Sequence, residues 1–389
     1  MSAVDFSAQR TKFPTLRERV YMASQCTGLF PEEMLEDLDR YRRSLFLRSR
    51  AIDEWVGEFD QMHVRMEELL QAPPGSVMLR DSATAAQAAV VAALSPEGKR
   101  KRIVISSSDF HSSRYLWHAQ SARGFEVVLV DSTDERHADA ETFAPHIDDR
   151  TAVVALSHVS PRSGALLDVA RVGKLTRDAG ALFIVDAYQS VGVVPIDVRT
   201  FGAHVVVGGT HKWLGGGGMG LAFGYVDPSL SERLRPAYPG WIGNKELLAF
   251  EDRFEPARGA LRFQQGTPSV EPLYTARAGI AWTMEIGVAV LRARSVVLTQ
   301  RIVEEAAAHG IRARTPALPE RRGAMVCLDV PDAKAIHERL GEAGFDIDER
   351  PNAGLRLGPH VCVTEAECER AVRLIAEELD RSKRRPRSS

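Results

Sequence analysis

The sequence predicts an α/β fold in which a mostly parallel sheet lies between layers of helices, followed by a smaller C-terminal α+β unit. Three observations predict it. Short apolar runs alternate with longer segments of helical periodicity through the middle of the chain. Those runs are apolar almost throughout rather than at every second residue, which is the pattern of strands covered on both faces. From about Trp282 the pattern changes to a long helix and then to short strands and helices.

Taken in order, the apolar runs are RIVISSS at 102–108, EVVLV at 126–130, TAVVALS at 151–157, ALFIVDA at 181–187 and HVVVGG at 204–209. The segments between them leave room for crossover helices, so these strands are expected to run parallel. LAFGYV, after a run of glycines, reads as a further strand. The C-terminal unit consists of the helix from Trp282, AMVCLDV at 324–330, AKAIHERLGEAG at 333–344, GLRLG at 354–358 and a closing helix. That last helix begins at TEAE, where Thr364 as N-cap and Glu367 three residues later form a capping-box pattern. No internal repeat or low-complexity segment interrupts the order.

The chain has 389 residues, 50 basic and 52 acidic side chains, and a formal charge of −2. That balance offers no electrostatic reason to expect a nucleic-acid or membrane partner. The length suits two domains, or one large domain with a smaller one attached. Cys26, Cys327, Cys362 and Cys368 form no CxxC pair, so neither a disulfide framework nor a metal site is expected, and a reducing cytoplasm fits. The N-terminal MSAVDFSAQRTKFP lacks an apolar signal core, and no uncharged run approaches the roughly 18 residues of a spanning helix. The terminal SKRRPRSS reads as a solvated, frayed end.

Two residues carry the chemistry. Asp186 ends the apolar run LFIV and Lys212 follows the next one, so both fall at carboxyl ends of strands, where open α/β sheets bind ligands. A lysine and an acid over one ligand suit pyridoxal 5′-phosphate: the amine forms a Schiff base, and the acid keeps the pyridine nitrogen protonated so the ring accepts electrons. Gly215, Gly217 and Gly220 formally match the dinucleotide fingerprint of an NAD(P)-dependent oxidoreductase. That fingerprint follows a strand and opens a helix, whereas this one follows THKWL and leads into a strand, so the glycines read better as a loop of close backbone approach.

VDAYQSVGVVPIDV followed by GGTHKWLGGGG resembles the class-V aminotransferases among the fold-type-I pyridoxal phosphate enzymes, a group that includes cysteine desulfurases and kynureninases. The resemblance implies a transferase fold with residues 1–28 as an arm packing on the small domain, 29–281 as the large cofactor-binding domain, 282–380 as the small domain and 381–389 as a disordered basic tail. It implies that Asp186 pairs with the pyridine nitrogen, Gln189 bonds the phenolic oxygen, Lys212 forms the Schiff base and His211 belongs to the cofactor site. RDSATAAQAAVVAAL at 80–94 resembles the phosphate-binding turn and helix, implying Ala83 and Thr84 as phosphate ligands. SSSDFHSSRYLW at 106–117 implies Phe110 stacked on the ring, with His111 beside it. FQQGTPSV at 263–270 resembles a loop that crosses a homodimer, with Thr267 reaching the partner's phosphate, and GLRLGPHVCVTEAE implies Arg356 as the ligand of an α-amino acid's carboxylate.

Departures from the pattern bear on the reaction. The loop IDERPNAG before Arg356 contains no cysteine, which argues against sulfur transfer, and Cys362 reads as a small buried residue. DSAT, PGWIG around Trp241 and GALRFQQGTPSV are closest to kynureninases, which carry histidine where this chain has Gln189 and tyrosine where it has His211. Pro161 replaces a polar or aromatic contact. The expectation is amino-group transfer on an α-amino acid, with kynureninase-like C–C hydrolysis as the alternative. Trp241 is expected at the substrate together with Arg356. His111, His158, Arg162 and Arg262 are further pocket candidates, and the two arginines suit a substrate with a second acidic group.

Overall fold

The computed structural model describes residues 4–132, 137–248 and 252–384, with side chains to Ser382. Its large sheet has seven strands: β1 (Val77–Arg80), β2 (Arg102–Ser106), β3 (Glu126–Val130), β4 (Thr151–Ser157), β5 (Leu182–Asp186), β6 (Val205–Gly209) and β7 (Ala222–Val226). They lie in the order β1-β7-β6-β5-β4-β2-β3. β3, β2, β4, β5 and β6 pair parallel, whereas β7 pairs antiparallel with both β6 and β1. All five expected runs form parallel strands, and LAFGYV forms the antiparallel one.

The continuous apolar character of the strands follows from their two covered faces. Val104, Phe183, Val185 and Val206 point to one side and are buried with Met62, Phe143 and Ile280. Their chain neighbours Ile105, Ile184, Val205 and Val207 point to the other and are buried with Val90, Trp117 and Phe263. This is the period of two of a strand written in apolar residues on both phases.

The C-terminal part carries a four-stranded antiparallel sheet in the order Asp348–Arg350, Gly354–Leu357, Val326–Asp329, Arg312–Ala313. The sequence suggests one long helix from Trp282; the structure has two, Glu271–Ile286 and Val288–Ala308. They break at Gly287, whose φ of 86° is open to glycine at little cost and to other residues only under strain. The two shortest strands escape a periodicity reading because two or three residues cannot show a period. Thr364 and Glu367 form the expected capping box: the Glu367 N–H donates to Thr364 Oγ1 at 3.2 Å and the Thr364 N–H to Glu367 Oε2 at 2.7 Å. The closing helix runs on to Arg384, so residues 381–384 are helical rather than part of a disordered tail, with Arg381 paired to Glu378 one turn earlier. Residues 385–389 lie outside the described residues.

The N-terminal segment joins this C-terminal core. Val20–Tyr21 pairs parallel with Phe345–Asp346, and Phe13, Leu16 and Met22 are buried with Trp282, Leu298 and Ile375. The segment then turns toward the edge of the large sheet, where the Gly28 N–H donates to His211 O at 2.8 Å.

Candidate functional site

Four parallel strands, β2, β4, β5 and β6, end at one edge of the large sheet, and the residues that follow them enclose a cavity of about 740 Å³. Asp109 and Phe110 follow β2, Ser157 ends β4, Asp186 ends β5, and His211 and Lys212 follow β6. The helix Ala83–Val91 opens on the same space with Ser82, Ala83 and Thr84. Ser82 caps that helix by accepting the Ala85 N–H at 3.1 Å. The N–H groups of the first turn have no partner within the helix and concentrate its positive end in the cavity.

Lys212 is held by backbone packing. Gly28 lies so close to the Lys212 carbonyl that a Cβ there would collide with it, and a Cβ at Gly217 would collide with Thr275 O. The Lys212 Nζ lies 4.4 Å from the centre of the Tyr188 ring and 5.6 Å from that of Phe110. Burial is the main influence on its charge: it pulls the amine down to about 8, against the attraction of Asp186. Asp186 accepts the Tyr188 N–H at 2.9 Å, and burial pushes its carboxyl up to about 6, a rise that the Tyr188 N–H and Lys212 oppose. Asp109 is likewise pushed up to about 6 by burial, although Oδ2 accepts the Ser106 N–H at 2.9 Å and Oδ1 the Ser157 N–H at 2.8 Å.

Neighbouring side chains are tied to one another. The Gln189 amide donates to Gln25 O at 2.9 Å and accepts from Trp213 Nε1 at 3.1 Å. His211 Nδ1 and the Tyr188 hydroxyl lie 3.0 Å apart, and burial lowers the His211 pKa. Arg356 donates through Nε to Asp348 Oδ2 at 2.6 Å, through Nη1 to Pro161 O at 2.6 Å and through Nη2 to Cys26 Sγ at 3.2 Å. Burial pushes the Cys26 thiol up to about 11, so at neutral pH it is a thiol and not a thiolate.

Of the residues singled out in the sequence, Ala83, Thr84, Phe110, Asp186, Gln189, His211, Lys212 and Arg356 line this one cavity, as do His111 and Arg162. Thr267 and Trp241 do not line it within a single chain; both are exposed, and Trp241 borders a separate hollow with Leu247 and Phe254. His158 is turned away, with Nδ1 2.9 Å from Ser190 Oγ. Arg262 is a correction: it is buried outside the cavity and donates to the carbonyls of Ala257 and Ser231 and to Glu232, so it braces a turn. Sequence reasoning did not select Gln25, Cys26, Asp109, Tyr188, Asp348 or Arg350. Asp109 and Tyr188 are immediate neighbours of selected residues and were within reach of it. Nothing local marks Gln25 and Cys26, which arrive from the far N-terminal segment.

The family model described as aminotransferase class-V matches residues 20–374. A kynureninase of Pseudomonas fluorescens is 31% identical over 350 residues, covering 86% of this chain and 82% of its own. An uncharacterized aminotransferase of Bacillus subtilis is 29% identical over 367 residues, covering 94% of this chain and 96% of its own. Among solved structures, an apo cysteine desulfurase from Thermococcus onnurineus has a TM-score of 0.85 at 20% identity, covering 98% of this chain and 100% of its own. At that identity the likeness carries the fold.

Proposed function

The chain belongs to the class-V aminotransferases, a family of pyridoxal 5′-phosphate enzymes, and from that footing we propose that it transfers the amino group of an α-amino acid. One observation carries the reading: Lys212, Asp186 and the N-terminus of the Ala83–Val91 helix converge on one buried cavity, which also holds an arginine, Arg356. These donors fit the cofactor. Lys212 is a buried amine with no hydrogen-bond or ion-pair partner among the described residues, Asp186 is a buried carboxylate beside it, and the helix terminus suits a phosphate. When bound, pyridoxal 5′-phosphate supplies an aldehyde that condenses with amines and a ring that takes up the electron pair left at the substrate's Cα.

The chain's own residues divide the remaining work. Ala83 and Thr84 would hold the phosphate through helix-terminal N–H groups, and Phe110 would supply an apolar wall for the ring. Asp186 holds a proton at the ring nitrogen; its own raised pKa still leaves it mostly ionised at neutral pH, as that task requires. Lys212 anchors the cofactor and moves a proton at the substrate's Cα, for which an amine poised near 8 is better suited than one at its ordinary value. Arg356 grips the α-carboxylate; the Cys26 thiol on its Nη2 is a weak acceptor that a carboxylate displaces. The working unit is a homodimer in which Thr267 and Trp241 complete the partner's site, and the four cysteines, all free, suit a reducing cytoplasm.

A second reading, hydrolysis of a C–C bond, is favoured by the 31% identity to a kynureninase. Purified protein is expected to absorb in the near-visible, and Lys212→Ala to lose that band. Incubation with a panel of amino acids then separates the readings: formation of keto acids supports transfer. Release of anthranilate from kynurenine, with no keto acid from any amino acid, would establish the second reading instead.

A further inference from the structure

Three guanidiniums gather on the Arg356 side of the cavity. Arg350 and Arg356 share one carboxylate, Asp348, with Arg350 Nη1 3.0 Å from Asp348 Oδ1 and Arg356 Nε 2.6 Å from Asp348 Oδ2. Both approach the Cys26 Sγ, at 3.9 and 3.2 Å from their Nη2 atoms. The third, Arg162, directly follows Pro161, whose carbonyl accepts from Arg356, and it donates through Nη2 to Asn352 O at 3.2 Å. Arg162 has no carboxylate partner among the described residues.

Charge balance then limits what this wall accepts. Three guanidiniums against the single Asp348 leave two positive charges in a partly desolvated space. The other charged groups lining the cavity do not cancel them. Asp186 lies by Lys212 and answers its charge, and Asp109 is matched by Arg114, on the helix His111–His118, whose charge acts on it. An α-carboxylate on Arg356 satisfies one of the two charges. Leaving the other facing only a backbone carbonyl forgoes a paired, charge-assisted bond that a planar fork is shaped to make.

We propose that the substrate is an amino acid bearing a second carboxylate, held by Arg162 with Arg350 at the rim, a specificity that rests on the amino-transfer reading above. Arg350 ends the strand Asp348–Arg350, and the turn that follows it carries Asn352, whose carbonyl accepts from Arg162, so the receptor is assembled before the ligand arrives.

The test separates anion binding from turnover. Calorimetry on the holoenzyme with glutarate and with butyrate, neither of which has an amino group, measures the second-carboxylate site alone. Glutarate is expected to bind roughly tenfold to a hundredfold more tightly, the range of a hydrogen-bonded charge. Arg162→Gln should shrink that ratio toward one, and Arg350→Gln should shrink it less, with thermal unfolding confirming that both variants fold. Equal binding of the two acids, or a preference that survives both substitutions, overturns the proposal. In a second arm, glutamate and alanine are compared as amino donors. Preferential conversion of glutamate supports the proposal, and equal conversion overturns it. Retained glutarate preference without turnover of any amino acid would leave the anion site standing and sink the amino-transfer reading instead.

Discussion

Asp109 and Asp186, each pushed up to about 6 by burial, share a cavity with a lysine that burial pulls down to about 8, and these groups give the cofactor-free site its own response to pH. Between the ordinary carboxyl value of 3.8 and about 6 these two groups hold protons in the folded protein that the unfolded chain has released, so their contribution to stability falls as pH rises, against the buried His137, His158 and His360, whose lowered pKa values raise stability over the same window. Between about 8 and 10.5 the unfolded chain carries a lysine proton that the folded protein lacks, so the lysine's contribution to stability rises with pH, against the Cys26 thiol, which keeps its proton in the folded protein up to about 11. Unfolding midpoints of the apo Asp109→Asn variant against wild type should isolate that carboxyl's share: relative stability should move in the variant's favour as pH rises from 3.8 to 6, by an amount on the order of 1–3 kcal/mol. An unchanged acid-side slope would mean that Asp109 is not held protonated by burial. At this scale the sequence shows the residues whose neighbours are local: Asp186 and Lys212 each end an apolar run, and that position predicts a strand terminus facing a ligand. It does not show that the Gln189 amide is bonded to Gln25 or that Arg356 is paired with Asp348, since such partners are chosen by folding.

Among the elements, the glycine-rich loop after Lys212 and the N-terminal segment are fitted to each other without space between them. Gly28→Ala would drive a Cβ into the Lys212 carbonyl, and because both contacting groups are backbone, neither can rotate away. The substitution is expected to lower stability by about 1–3 kcal/mol, typical of overpacking, and to weaken the near-visible band by shifting Lys212. Chemical denaturation and an absorption spectrum of the same sample check both. The strands were legible because burial on both faces leaves a run of apolar residues that no amphipathic helix produces, as in LFIV and VVV. The break at Gly287 was harder to see, because the residues on either side continue the helical pattern and only one backbone angle departs from it. The next element decides the glycine fingerprint: Ala222–Val226 is a strand, so the loop does not open a helix.

For the molecule as a whole, Phe13 ties the first residues to the last, with its ring centre 5.0 Å from that of Trp282 and 4.3 Å from that of His360. Phe13→Ala is expected to lower stability by about 3–5 kcal/mol, measured as a shift of the urea midpoint. Sedimentation should give twice the 42.8 kDa of one chain if Thr267 and Trp241, exposed here, serve the partner's site; a monomer that binds cofactor and turns over would remove that role. The sequence outlined the two kinds of architecture, but the packing of Val20, Tyr21 and Gln25 against strands more than three hundred positions away leaves no local trace. The same packing has a consequence for biosynthesis. Gln25 and Cys26 leave the ribosome more than three hundred residues before Arg356, yet all three bound one cavity. A growing chain therefore presents the residues assigned to the cofactor, from Ala83 to Lys212, well before the carboxylate wall that Arg356 completes, so the pocket can select a substrate only after residue 356 has emerged and folded back onto the N-terminal segment.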